Sequence, residues 1–210
     1  MVVANAGIAS YGTVEKGDVD GWMQTVDINL NGVYRTVRAG LPHVLAGKGH
    51  VCVIASIASF APLAGMSSYN ASKAGVEAFT RAFEQEVAFR GVSAGTVHPS
   101  WIDTDLVREA EADLGSFREM RKKLPWPLHK TTTVEECATA IVDGIQTRRR
   151  RTVVPRAAGA LYWLRAVVTS GPGAKLVGTQ AKKIVPQMEA EIEALGRPAS
   201  ARTTAINEID

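Results

Sequence analysis

Long apolar runs, cysteine and strong charge are all scarce in this 210-residue sequence. No run of about 20 apolar residues occurs, so no membrane-spanning helix is predicted. The first residues lack the charged region, apolar core and cleavage site of a secretory signal, and we expect a cytoplasmic protein. The net charge of +3 is too small to indicate nucleic-acid binding.

Residue types that bind metals are few and dispersed. The two cysteines, Cys52 and Cys137, show no metal-ligand spacing and do not predict a disulfide framework, which fits a reducing compartment. The four histidines are scattered, so no metal site is predicted. We interpret His98, beside Pro99, as a residue at the end of a strand rather than as a ligand or a base.

Apolar periodicity predicts strands that alternate with helices. Short β-favouring runs predict four strands, at residues 1–4, 50–56, 92–99 and 151–155. Apolar spacings of three and four predict helices over residues 18–45, 67–89, 106–114, 133–147, 159–169 and 175–195. This alternation indicates an α/β fold with a parallel sheet, in which ligands bind outside the carboxyl ends of the strands.

A tyrosine and a lysine lie at the start of the second long helix, in the segment YNASK. Tyr69 and Lys73 are four residues apart and share a helix face. A nearby cation lowers the pKa of a phenol by about one to three units, which lets the phenol exchange a proton with an alcohol or a carbonyl group. Ser56, thirteen residues before the tyrosine, is expected to hydrogen-bond the same substrate oxygen. Such a pair alone is more often structural than catalytic. Catalysis is favoured here because several polar features occur together, in order, at the ends of successive predicted strands.

Five motifs, in this order, resemble those of the short-chain dehydrogenase/reductase family over residues 2–155. They are NAG at 5–7, DINLNGV at 27–33, IASIAS at 54–59, YNASK at 69–73 and HPSWIDT at 98–104. The last resembles P-G-x-x-x-T with Ser100 in place of glycine, so the geometry of that turn is left open. The resemblance implies the C-terminal portion of a Rossmann-like, doubly wound parallel sheet. It also implies hydride transfer between NAD or NADP and an alcohol or carbonyl substrate.

The resemblance further implies a role for each matching residue. Tyr69 would be the general acid/base, and Lys73 would lower its pKa and bind the nicotinamide ribose. Ser56 would orient the substrate oxygen, and Asn29 would support Lys73 through a water molecule. The expected cofactor-binding residues are Asn5, Ala6, Gly7, Tyr69, Lys73, Pro99, Ile102 and Thr104.

Family members normally carry a strand, a glycine-rich turn and a helix ahead of these motifs, and the sequence contains none of them. The glycine-dense segment SGPGAKLVG, at residues 170–178, lacks the G-x-G-x-x-G spacing and is interpreted as a loop. We expect that the sequence is a fragment or begins at a misassigned start, with an upstream reading frame that encodes the missing part, and favour this over a real short form that is catalytically impaired. The residues that would select NAD or NADP lie in that part.

We predict one truncated Rossmann-like domain over residues 1–195, with a variable substrate loop at 100–130, C-terminal helices at 157–195 and a flexible tail at 196–210. Two alternatives to an oxidoreductase stay open. One is a binding or assembly subunit, and the other is a membrane-surface protein that uses the arginines at 148–151 and the apolar segment at 157–168. Packing of that segment in the core or in a subunit interface is favoured over membrane contact. The expected partners are a small-molecule substrate and further copies in a homo-oligomer, with no nucleic acid.

Overall fold

A computed structural model describes residues 1–168 and 170–196, which form a parallel sheet with flanking helices. The strands in this part of the chain are β1 (Val2–Ala4), β2 (His50–Ile54), β3 (Ser93–Pro99), β4 (Trp101–Ile102), β5 (Thr131–Thr132) and β6 (Arg151–Val154). The α-helices are α1 (Val19–Val26), α2 (Gly32–Ala46), α3 (Ser67–Val87), α4 (Asp105–Asp113), α5 (Gly115–Lys122), α6 (Val134–Gln146), α7 (Gly159–Val168) and α8 (Gly171–Leu195).

Four of the strands form one sheet in the order β1–β2–β3–β6, and all three pairings are parallel. The register between β2 and β3 runs from His50 opposite Ser93 to Ile54 opposite Val97. The short strands β4 and β5 pair separately, beyond the carboxyl end of β3. The predicted α/β class, with four main strands in a parallel sheet, is confirmed.

Alternate residues of β2 face opposite layers of helices. Val51 and Val53 are buried in the cluster that contains α2 and α3, whereas Cys52 and Ile54 belong to the cluster that contains Cys137 on α6. Because both faces of β2 are covered, its sequence reads as one continuous apolar run rather than as an alternating pattern.

The single helix predicted over residues 18–45 is interrupted in the structure. Asp18 caps α1 by accepting a hydrogen bond from the backbone N–H of Gly21 at 2.7 Å. Between α1 and α2, Asp27–Asn31 forms a π-helical turn. The side chain of Asn29 in this turn bonds to the backbone of Ile8, a contact that apolar spacing along the helix does not reveal. Single π-helical turns of this kind are frequent at functional sites.

The C-terminal part differs from the prediction in two places. The segment at 170–178 is not a loop, because α8 begins at Gly171 with Ser170 at its N-cap and a proline in its first turn, where the missing N–H breaks no hydrogen bond. Helix α5 was not predicted. Glu191 on α8 accepts hydrogen bonds from the backbone N–H and the hydroxyl of Ser116, at 3.0 and 2.6 Å, and so joins α8 to α5. The predicted tail lies outside the described residues, apart from Gly196.

The arginines at 148–151 connect α6 to β6 and pair with groups on neighbouring elements. Arg149 forms an ion pair with Asp143 at 2.9 Å, and the guanidinium of Arg151 lies 3.3 Å from the ring centroid of Tyr162 on α7. On the same helix, Trp163 keeps 80% of its surface exposed. Within residues 1–168 and 170–196 no helix has the length and apolarity needed to cross a membrane.

Candidate active site

A cleft of about 500 Å³ lies at the carboxyl edge of the sheet, within the range typical of small-molecule sites. Most of the predicted site residues line it, namely Asn5, Gly7, Ser56, Tyr69, Lys73, Pro99, Ile102 and Thr104. Two predicted residues do not. Ala6 is exposed outside the cleft, and Asn29 is fully buried behind it.

Helix α3 brings Tyr69 and Lys73 to the same wall of the cleft. The Lys73 Nζ atom lies 5.6 Å from the centroid of the Tyr69 ring and donates a hydrogen bond to the carbonyl oxygen of Ile54 at 2.8 Å. Ser56 follows β2, and its hydroxyl oxygen accepts a hydrogen bond from the backbone N–H of Ala58 at 3.2 Å. A phenol, an ammonium group and a hydroxyl therefore face one cavity.

Burial dominates the electrostatics of this pair. It raises the pKa of Tyr69 above the ordinary 10.0, while a hydrogen bond with Ser56 acts in the opposite direction. Burial also lowers the pKa of Lys73 from 10.5 to about 8. The sequence predicted that Lys73 lowers the pKa of Tyr69. The structure shows the opposite direction, because desolvation of the phenolate is the largest influence on the pKa of Tyr69, so the phenol is protonated at neutral pH and can donate its proton.

Asn29 connects the π-helical turn to the helix that carries the tyrosine. Its amide group exchanges two hydrogen bonds with the backbone of Ile8, at 2.8 and 2.9 Å, and also donates to the hydroxyl of Ser72 at 3.1 Å. The hydroxyl of Ser72 donates in turn to the carbonyl oxygen of Tyr69 at 2.9 Å. Asn29 thus fixes the loop after β1 against the start of α3. Its water-linked support of Lys73 stays a prediction.

The loop after β1 approaches these groups closely at Gly7. A Cβ atom at this position would lie 3.2 Å from the Asn29 Oδ1 atom and 3.4 Å from the Lys73 Nζ atom. The absence of a side chain leaves room for a ligand beside the ammonium group, where polar groups of Asn5 and Thr104 also line the cleft. These residues fit the nicotinamide and ribose end of a dinucleotide. No G-x-G-x-x-G turn for the pyrophosphate occurs in the sequence.

A buried polar network behind Ser56 was not found from the sequence. The Nδ1 atom of His98 lies 3.1 Å from the carbonyl oxygen of Ser56, and its Nε2 atom lies 2.9 Å from the hydroxyl of Thr96. The Ser59 hydroxyl lies 3.3 Å from Nδ1 and donates to Glu77 at 2.8 Å. Burial lowers the pKa of His98 to about 4, so its ring is neutral at pH 7. A proton assigned to Nδ1 lets the ring donate to Ser56 and hold that segment in place.

The expectation that His98 lies in a strand end is confirmed by its position in β3. Sequence reasoning missed Tyr11, Leu63 and Leu128, which also line the cleft. These residues lie in irregular segments, where no periodicity or motif marks them. Only the spatial approach of three separate loops makes them neighbours.

Comparisons with known proteins show the family to which the chain belongs. The family model described as short chain dehydrogenase matches residues 1–115. The 3-oxoacyl-[acyl-carrier-protein] reductase FabG of Pseudomonas aeruginosa is 38% identical over 147 residues, which cover 67% of this chain and 56% of that protein. The cyclohexanol dehydrogenase of an Acinetobacter strain is 31% identical over 157 residues, covering 69% and 62%. The chain spans 39% to 63% of the length of the curated relatives reported.

Solved structures show the same fold. A short chain dehydrogenase/reductase from Burkholderia phymatum in complex with NAD has a TM-score of 0.64 and 21% identity, over 79% of this chain and 64% of that chain. A gluconate 5-dehydrogenase from Burkholderia cenocepacia in complex with NADP and tartrate has a TM-score of 0.63 and 24% identity, over 72% and 61%. At these identities the likeness concerns the fold.

Proposed function

The chain belongs to the short-chain dehydrogenase family, and from this premise we propose that the protein transfers a hydride between NAD or NADP and an alcohol or carbonyl compound. The main support for the proposal is that Tyr69, Lys73 and Ser56 line one cleft at the carboxyl edge of the sheet. Similar proteins named as a reductase and as a cyclohexanol dehydrogenase support it.

Tyr69 is the proton-transfer group in this proposal. For reduction, its neutral phenol donates a proton to the carbonyl oxygen of the substrate, and for oxidation the phenolate takes the proton of the alcohol. The Ser56 hydroxyl, which interacts with the Tyr69 hydroxyl, donates a hydrogen bond to the same substrate oxygen. A bound nicotinamide supplies or accepts the hydride.

Lys73 has two tasks. Its charge stabilises the phenolate that forms when Tyr69 loses its proton. Its ammonium group, which reaches the cleft beside Gly7, binds the hydroxyls of the nicotinamide ribose. The remaining contacts to the cofactor come from residues at the ends of β1 and β3, namely Asn5, Ala6, Gly7, Pro99, Ile102 and Thr104. Asn29 positions the loop after β1 through its bonds to Ile8.

The Tyr69→Phe variant tests the proposal, with Tyr34→Phe as a matched control because Tyr34 is 55% exposed and does not line the cleft. Reduction of a panel of ketones is followed by the absorbance of NADH and NADPH. We expect Tyr69→Phe to lose about 10²- to 10⁴-fold in kcat, the usual contribution of a positioned acid or base, with unchanged cofactor affinity. Retained turnover in this variant contradicts the role of Tyr69. If the wild-type chain binds neither dinucleotide in a fluorescence titration, the alternative of a binding or assembly subunit is favoured.

A further inference from the structure

The wall of the cleft beyond the proton-transfer group is apolar. It is formed by side chains of the loops and helices that follow β2 and β3, namely Leu63, Met66, Trp101, Leu106, Leu124 and Leu128. Among the described residues that line the cleft, Lys73 is the one charged side chain, and it donates to a backbone carbonyl group. A carboxylate or phosphate against this wall would lose its hydration and find no partner there, which is unfavourable.

Tyr11, in the loop after β1, is the polar exception beside this wall. It lines the cleft and is only 3% exposed. Its ring packs edge-on against the ring of Phe117 on α5, with the centroids 5.1 Å apart. The next residue, Gly12, donates a backbone hydrogen bond to Gly65 at 2.9 Å and pairs with Met66. The backbone beside Tyr11 is therefore held against the segment that leads into α3, and Tyr11 belongs to the same buried cluster as Met66.

The hydroxyl of Tyr11 makes no hydrogen bond to any residue that the structure describes. Burial raises its pKa far above the ordinary value, and the nearby groups of Tyr69 and Glu109 raise it further, so the hydroxyl is neutral at physiological pH. Tyr11 and Tyr69 line the same cleft. The Tyr11 hydroxyl is not among the fully buried polar atoms that lack a partner, so it is open to the cleft and can donate a hydrogen bond to an oxygen of a ligand.

We propose that the substrate is an uncharged, largely apolar alcohol or ketone with a second neutral oxygen, a hydroxyl or a carbonyl group, that accepts a hydrogen bond from Tyr11. The inference rests on the proposed function, since it places the reacting oxygen at Tyr69 and Ser56. Tyr11 takes no part in proton transfer and acts as a specificity-determining residue.

Equilibrium binding to the full chain tests this inference without requiring turnover. The probes are cyclohexanone, 3- and 4-hydroxycyclohexanone, and 4-oxocyclohexanecarboxylate, titrated by calorimetry or by NMR into the wild type, Tyr11→Phe and Tyr34→Phe. We expect at least one hydroxyketone to bind the wild type and Tyr34→Phe about tenfold more tightly than cyclohexanone, as expected for one added hydrogen bond. In Tyr11→Phe, which keeps the ring packed on Phe117, the two ligands should bind alike. The carboxylate should bind most weakly to all three proteins.

The inference is overturned if no ketone binds, if the wild type does not prefer a hydroxyketone, if the preference persists in Tyr11→Phe, or if the carboxylate binds most tightly. Its failure is distinguishable from that of the proposed function. If turnover depends on Tyr69 but does not discriminate between the ketones, only the role of Tyr11 is contradicted. If binding depends on Tyr11 but the wild type and Tyr69→Phe turn over equally, only the proton-transfer role of Tyr69 is contradicted.

Discussion

Replacing Lys73 by methionine should stabilise the protein at pH 7 while it removes activity. Lys73 is 4% exposed, and burial lowers its pKa from 10.5 to about 8. At about 1.4 kcal/mol for each pH unit, this difference corresponds to about 3 kcal/mol that the folded state loses by keeping the ammonium group charged. Methionine has a similar length and no charge. The lost hydrogen bond to Ile54 offsets about 1 kcal/mol, which leaves a gain of about 2 kcal/mol.

The gain should depend on pH in a defined direction. Because the folded pKa lies below the unfolded value, the unfolded wild type holds more protons between pH 8 and 10.5, and wild-type stability rises over that interval relative to the variant. The advantage of Lys73→Met should change sign at about pH 9.5 and should have fallen by about 2.5 kcal/mol at pH 10, where the neutral amine still donates to Ile54. Urea unfolding at pH 7 and pH 10 measures both values.

The exposed Lys122 provides the matched control, since Lys122→Met should change stability by less than about 0.5 kcal/mol at either pH. A Lys73→Met protein that is less stable than the wild type at pH 7 would refute the reasoning. So would a difference between the two proteins that does not change with pH. Either result would mean that Lys73 is hydrated or paired in the folded state.

Three further predictions concern other parts of the site. Gly7→Ala should weaken dinucleotide binding more than about tenfold without unfolding the protein, because the new methyl group would crowd Asn29 at 3.2 Å. A fluorescence titration with NADH and NADPH measures this affinity, and an unchanged affinity contradicts the cofactor assignment. Acidification from pH 7 to 4 should destabilise the wild type, since the pKa of buried His98 is about 4 and its neutral form is favoured in the folded state. The His98→Asn variant, which keeps a donor near Ser56, should fold, and its stability should depend less on pH. An acid transition equal to that of the wild type would contradict the role of His98. Phe117→Ala should cost about 3–5 kcal/mol in urea unfolding, because the ring is fully buried; a loss below about 1 kcal/mol would contradict the packing.

Local signals in the sequence predicted a large part of the fold and some of the site. The continuous apolar run of β2 predicted a strand with two covered faces, and the spacing of Tyr69 and Lys73 predicted their common helix face. The π-helical turn was not predictable, because it involves contacts between Asn29 and Ile8, 21 residues earlier. The bond from His98 to the segment of Ser56 likewise spans 42 residues.

The contact between Glu191 and Ser116 links the selectivity of the site to its chemistry. The aromatic support of the cleft wall, Phe117 against Trp101 and Tyr11, is assembled from α5 and its neighbours and is braced by the C-terminal helix. Tyr69 on α3 packs against this same cluster. Substitutions in α5 or α8 that reshape the wall for a different ligand are therefore expected to displace Tyr69 as well, so the two have to be altered together.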